Sequence, residues 1–170
     1  MVQHVAYRLE ESNVEVERDN DTILHFSLQD ALPEGHMFAL NTTLGTFSYL
    51  SINDGMPRLR GQQQFTRGEM SMLLPLLESY PYYCPYEVLY ASFYNNDTRE
   101  ELVEQARRHL QIAVNEGVWD QEMRPVRTLL SRTRFKARAL GIDILSILET
   151  GYILRFLPSL KPQKKTGNTL

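Results

Sequence analysis

The sequence predicts an α+β domain in which an antiparallel sheet comes first, helices follow, and a β-hairpin closes the chain. Strand-like runs within residues 23–64 alternate apolar with polar side chains. Asn53-Asp54-Gly55, between the last two of these runs, is a strong signal for a tight hairpin. Residues 66–140 instead carry apolar side chains at helical spacing, separated by capping signals. Two further strand-like runs in 142–156 flank Glu149-Thr150-Gly151, which predicts the closing hairpin.

Length and composition are those of one globular domain. The chain has 170 residues, of which 42% are hydrophobic and 23% are charged. No apolar run reaches the roughly 18–20 residues of a membrane span, and the N-terminus lacks a secretory pattern. One cysteine, Cys84, excludes an internal disulfide framework and a Cys-rich zinc site. We therefore expect a cytoplasmic protein with no membrane partner.

The ends of the chain are predicted to differ from its centre. Val14 and Val16 alternate with acids, and further strand signals follow, so residues 1–44 are expected to form a β extension packed on the main sheet. Residues 45–157 would form the main domain. Residues 158–170, with two prolines and three lysines, predict a disordered basic tail.

Three helices are predicted before the basic one begins. Thr66 and Glu69 match a capping box at the first, and Pro85 should open a second that runs through Tyr94. That second helix is apolar around most of its girth, with only the Glu87/Ala91 edge suited to water. The third, an insertion over 98–116, has a second capping-box pattern at its start and a glycine at its end.

An unusual tyrosine stripe and the apolar face of the inserted helix both require a partner surface. We predict that they pack on each other, within one chain or across a homodimer, because burial of both faces is favourable. The candidate partner-binding residues are Tyr86, Tyr90, Tyr94, Leu102, Ala106 and Leu110.

The charge is unevenly distributed although the formal net charge is only −3. Residues 1–60 carry four cations against nine carboxylates, whereas residues 124–141 carry six cations and no acid. This segment predicts a basic helix over 125–140. Its buried side is expected to consist of Val126, Leu130, Thr133, Ala137 and Leu140.

No catalytic constellation is present in the sequence. It has no phosphate-binding glycine loop, no nucleophile elbow and no His-x-x-x-His spacing. The four histidines are scattered and are expected to be structural. Cys84 lies at a predicted helix N-cap, where a lowered thiol pKa or simple burial are the two alternatives. We predict no enzyme activity, no cofactor and no metal.

Four segments in order carry a family resemblance. They are Phe65 to Leu73 (FTRGEMSML), Val88-Leu89 with Phe93, Val126 with Leu130 to Lys136, and Ile144 to Leu154 around Gly151-Tyr152. Together they resemble the DNA-binding effector domain of OmpR/PhoB-type response regulators. The resemblance implies a winged helix-turn-helix with three family helices, the insertion at 98–116, and the terminal hairpin as the wing. About 44 preceding residues are too few for a receiver domain.

The resemblance implies that helix 125–140 enters the major groove of double-stranded DNA. Arg127, Ser131 and Arg132 would read bases, while Thr128 suits a phosphate or a thymine methyl. Backbone contacts would come from four other cations, namely Arg124, Arg134, Lys136 and Arg138. The wing would comprise Leu148, Glu149, Thr150 and Tyr152.

Two functions follow from these observations. The first is a sequence-specific, nucleoid-associated bacterial transcription regulator that binds DNA. The alternative is a degenerate winged-helix adaptor that binds RNA polymerase or another regulator. Leu148 and Glu149 favour the adaptor, because the family has arginine and glycine at these wing positions and an acid would face phosphate. The acid-free basic helix favours DNA.

Overall fold

A computed structural model describes residues 23–28 and 31–157 and shows an α+β chain with two antiparallel sheets and four helices. The elements are β1 (Ile23–Phe26), β2 (His36–Asn41), β3 (Thr46–Asn53), β4 (Met56–Gln64), α1 (Arg67–Ser79), β5 (Cys84–Pro85), α2 (Tyr86–Asn95), α3 (Glu100–Asn115), α4 (Trp119–Arg138), β6 (Ile142–Ile147) and β7 (Gly151–Phe156). The predictions for Val14, Val16 and the tail at 158–170 lie outside the described residues. No helix in the described part of the chain is long and apolar enough to cross a membrane.

The first sheet is a meander in the order β1-β2-β3-β4. Asp54 and Gly55 connect β3 to β4 with φ angles of 51° and 74°, which confirms the predicted two-residue turn. Phe38 and Phe47 stack at 4.8 Å between ring centroids and are fully buried. Because β1 and β2 pair directly with the rest of the sheet, the strands that begin before residue 45 share its core.

The second sheet joins distant parts of the chain in the order β5-β7-β6. β6 and β7 form the predicted terminal hairpin, and the two residues of β5 add a third strand ahead of α2. Gly151 is required at this junction, because a Cβ there would lie 2.1 Å from the carbonyl oxygen of Cys84.

The helix caps follow the sequence signals at two positions and depart at a third. The Thr66–Glu69 capping box is present in both directions, and Gly117 adopts a φ of 72° behind α3. The second predicted capping box is wrong. α3 takes Arg99 as its N-cap, because the Asp97 carboxylate accepts the Arg99 backbone N–H at 2.9 Å and starts the helix one residue later.

The basic helix is longer at its N-terminus and shorter at its C-terminus than 125–140. The chain reverses at Gly117 and enters α4 at Trp119, which places Pro125 inside the helix. Proline costs about 3 kcal/mol in a helix interior. Burial of Met123 and packing of Trp119 on Tyr86, at 5.0 Å between rings, offset that cost.

The buried side of α4 is the predicted one. Val126, Leu130, Thr133 and Ala137 are all buried, and Leu140 is buried just beyond the helix. Thr133 donates its hydroxyl hydrogen to the Leu129 carbonyl at 2.8 Å, which satisfies a polar group in the core. The opposite side of the helix therefore faces away from the core.

Candidate nucleic-acid interface

The exposed side of α4 carries three cations, each about two helical turns from the next. Arg124, Arg132 and Arg138 are exposed, as are Thr128 and Ser131. Within the described residues, Arg124 and Arg132 make no ion pair. These guanidinium groups are therefore available to an external anion.

Arg134 does not join that exposed set. Its Nε donates to Asp143 at 2.7 Å, and Arg155 approaches the other carboxylate oxygen at 3.4 Å. Asp143 is buried on β6 and also accepts the Ile144 N–H at 3.0 Å. The Arg134 guanidinium holds the pKa of the Asp143 carboxyl below its ordinary value, although burial opposes this. Arg134 thus joins α4 to the second sheet instead of projecting toward a phosphate.

Lys136 is likewise held by the protein. Its ammonium donates to the Glu69 carboxylate at 2.6 Å and to the Gln64 carbonyl at 2.9 Å. Burial would raise the pKa of Glu69, but the hydrogen bonds from Lys136 and the Thr66 N–H lower it. Lys136 therefore links α4 to the start of α1 and does not provide the predicted phosphate contact.

Arg127 lies between these two cases. Its guanidinium contacts the Asp120 carboxylate at 2.8 Å and lies 5.4 Å from the centre of the Trp119 ring. Asp120 is 82% exposed at its side chain, so solvent screens this ion pair and little energy opposes its opening. Arg127 is therefore near the exposed cations but is oriented toward the first turn of α4.

The predicted wing residues divide into a loop and a sheet position. Leu148, Glu149 and Thr150 connect β6 to β7, and Leu148 is 87% exposed. Glu149 has a φ of 54°, a region that glycine occupies more readily. Tyr152 lies instead on β7, half-buried against Tyr86 with 5.9 Å between rings, and burial raises the pKa of its hydroxyl. Tyr152 therefore belongs to the packing between the hairpin and α2, unlike the three loop residues.

The two helices that carry the predicted partner-binding residues, α2 and α3, pack on each other within one chain. Tyr90 stacks on His109 of α3 at 5.4 Å, and Ala106 and Leu110 are buried. Tyr86 packs on Trp119, Leu102 is half-buried, and Tyr94 stays 53% exposed. The packing of α2 with α3 thus follows the single-chain alternative. No surface comprising all six residues is free for a second copy.

The prediction that the Glu87/Ala91 edge of α2 faces water is wrong at Ala91, which is fully buried. The inserted helix covers this edge, since Glu87 forms an ion pair with Arg107 of α3 at 3.3 Å. A small apolar residue one helical turn from an acid is compatible with an edge in water and with an edge covered by another helix. The sequence alone therefore could not show that this edge is covered.

Sequence reasoning missed a polar cluster that joins α2, α3 and α4. The Glu122 carboxylate contacts His109 Nε2 at 2.9 Å and accepts the Tyr90 hydroxyl hydrogen at 3.2 Å. The hydrogen bond from His109 lowers the pKa of Glu122, and burial raises the pKa of Tyr90. These residues are separated by 13 and 32 positions from Glu122, so no local spacing could reveal them. The cluster connects the inserted helix to α4.

Cys84 is buried, and burial raises the pKa of its thiol to about 12. The alternative of an activated thiol at a helix N-cap is therefore wrong. Among the residues described, no group of three or more His, Cys, Asp or Glu side chains could hold a metal ion.

Comparison of the chain with protein-family models, curated proteins and solved structures finds no match.

Proposed function

We propose that this chain is a winged helix-turn-helix transcription regulator that binds double-stranded DNA through the exposed face of α4. The order of elements supports this fold, because α1, α2 and α4 are followed by the β6–β7 hairpin. β5 adds a third strand beside that hairpin, and α3 occupies the connection between α2 and α4. A helix of this diameter fits the major groove.

One observation carries the proposal: Arg124 and Arg132 are exposed and unpaired within the described residues, on a segment free of acids. Electrostatic attraction to phosphate supplies most non-specific binding to duplex DNA. Ser131 adds an exposed hydroxyl group on the same side of the helix, and the Thr128 hydroxyl, which donates to the Arg124 carbonyl at 2.9 Å, can still accept a hydrogen bond there. Such a face provides both charge and hydrogen-bonding groups for a duplex.

The contacts of each cation refine its proposed role. Arg132 and Ser131 would meet base edges, whereas Arg124 and Arg138 would hold phosphates. Arg127 would join Ser131 and Arg132 at the base edges once its ion pair with Asp120 opens. Arg134 and Lys136 would act indirectly, since their carboxylate partners fix the position of α4. The homodimer stays a prediction, and RNA polymerase would be a partner of the bound regulator.

Salt-dependent binding to random-sequence duplex DNA tests this function. Phosphate contacts from Arg124 and Arg138 should give a slope of about −2 in log affinity against log salt, because each contact contributes about −0.9. Arg132→Ala should weaken binding to a selected site by about 1–3 kcal/mol, measured by fluorescence anisotropy. Arg108→Ala on α3 removes a similarly exposed arginine and serves as the control. A flat salt response, with no loss in the Arg132 variant, would refute DNA binding.

The adaptor alternative rests on two exposed apolar side chains. Phe135 on α4 is 82% exposed, and Leu148 in the β6–β7 loop is 87% exposed. Large exposed apolar residues are enriched as anchors in protein interfaces. If α4 binds RNA polymerase or another regulator, Phe135→Ala should weaken that complex and leave duplex affinity unchanged in a pull-down and an anisotropy titration.

Glu149→Gly should leave duplex affinity unchanged or raise it, because an acid near phosphate is repelled. The same change should not destabilise the hairpin, since glycine adopts the positive φ of this position without strain. Anisotropy titrations and thermal melts of the variant measure the two effects. A clear loss of DNA affinity would show that the loop does not approach the duplex in the proposed way.

A further inference from the structure

A cleft of about 490 Å³ lies on the side of α1, away from the residues assigned to DNA. The end of β2 and the turn after it form one wall, and the end of α2 with the following loop forms the other. This volume falls within the range of small-molecule sites, which bury a ligand of modest size. No residue of α4 or of the β6–β7 hairpin lines the cleft.

The floor of the cleft is apolar and follows one stripe of α1. Met70, Leu74 and Glu78 are spaced by four residues, so they share a side of the helix, and all three are half-buried. Leu40 and Pro75, both buried, complete the apolar lining. An alkyl or aryl group bound here would be removed from water, which favours its binding.

Glu78 ends this stripe with a carboxylate that has no ion pair or hydrogen bond within the described residues. Burial raises the pKa of its carboxyl, and no opposing charge lowers it. Glu69 on the same helix is buried and, unlike Glu78, is paired with Lys136. Arg67, the cation in the cleft lining, lies eleven residues before Glu78, or about 16 Å along the helix. The acidic end of the cleft therefore lacks a counter-ion.

We propose that this cleft binds a small organic ammonium ion with an apolar body. The ammonium group would pair with Glu78, and the alkyl or aryl part would lie on Met70 and Leu74. Pairing favours the charged carboxylate and offsets the cost of its burial. The inference does not rest on DNA binding, because the two surfaces share no residue.

Calorimetric titration of the full chain at pH 8 tests the site with hexylammonium, hexanol and hexanoate as probes. Hexylammonium should bind and raise the melting temperature, whereas the neutral and anionic probes of the same length should not. Glu78→Gln should weaken hexylammonium binding at least tenfold, while Glu116→Gln, an exposed acid at the far end of α3, should have no effect. Equal binding of hexanol, preference for hexanoate, or full affinity in the Glu78 variant would each overturn the proposal.

Glu78→Gln should also raise the melting temperature of the unliganded protein at pH 8. Because the folded-state pKa of Glu78 is raised, this carboxyl costs the folded chain no stability below its unfolded pKa. The cost appears as pH rises toward the folded pKa and is complete above it. The variant and the wild type should therefore differ at pH 8 and converge near pH 4. Thermal melts at the two pH values measure this, and they also show that the variant is folded when its ligand binding is lost.

Discussion

Replacement of Asp143 by alanine should lower the free energy of unfolding by about 1.5–3 kcal/mol, the usual contribution of a hydrogen bond to a charged group, because only the carboxylate of these ion pairs is buried. Asp143 is the buried acceptor between α4 and the second sheet, where it meets Arg134 at 2.7 Å and Arg155 at 3.4 Å. Alanine would leave both guanidinium groups without their carboxylate and the Ile144 N–H without its acceptor. Urea unfolding followed by circular dichroism measures the difference.

Asp120→Ala is the matched control for that experiment. Asp120 also meets an arginine, Arg127, at 2.8 Å, but its side chain is 82% exposed. An exposed pair contributes only about 0–1 kcal/mol, so this variant should unfold almost as the wild type does. Equal losses in the two variants would show that burial does not strengthen the Asp143 contacts.

The effect of Asp143 should also depend on pH. Its folded-state pKa is lowered, so its stabilisation is present above the unfolded pKa and is lost as pH falls through the folded pKa. The unfolding free energies of wild type and Asp143→Ala should therefore approach each other in acid. A constant difference between pH 7 and pH 2 would contradict a role for the ionised carboxylate.

Leu110→Asp should destabilise the folded chain by more than the roughly 2–5 kcal/mol of a leucine-to-alanine change in a core. Leu110 is buried on the side of α3 that packs within the chain, and aspartate would place an unpaired charge there. Thermal melts and light scattering together measure the result. Loss of folding in the monomer is expected, not a change of oligomeric state.

Ile112→Asp provides the comparison on the same helix. Ile112 is 54% exposed, so an acid at this position remains in water. Its melting temperature should stay close to that of the wild type, because surface substitutions usually change stability by about 0.5 kcal/mol or less. If Ile112→Asp were the more damaging variant, the exposed side of α3 would be an interface with another molecule.

Local signals predicted the parts of the fold that depend on neighbouring residues. The Asp54-Gly55 turn, the Thr66–Glu69 capping box and the glycine behind α3 all work through hydrogen bonds or φ angles within a few residues. The buried side of α4 was also predictable, since helical periodicity places Val126, Leu130, Thr133 and Ala137 together.

The partners of the cations could not be predicted in this way. Lys136 meets Glu69 across 67 positions, and Arg134 meets Asp143 across nine positions and a change from helix to strand. Sequence shows six cations without an acid, but only the folded chain shows which of them are neutralised by carboxylates from other elements. The start of α4 at Trp119 could not be predicted for the same reason, because Trp119 packs on Tyr86 of another helix.

The two sheets should assemble at different times during folding. Every pair of strands in the first sheet joins residues at most 18 positions apart, whereas β5 meets β7 through Cys84 and Tyr152, which are 68 positions apart. Closing the longer loop costs about 1 kcal/mol more in chain entropy, and non-local contacts slow folding. The meander can form while the ribosome is still adding the helices, but the strand beside the hairpin must wait until Tyr152 has emerged. The α4 surface next to that hairpin is therefore completed last.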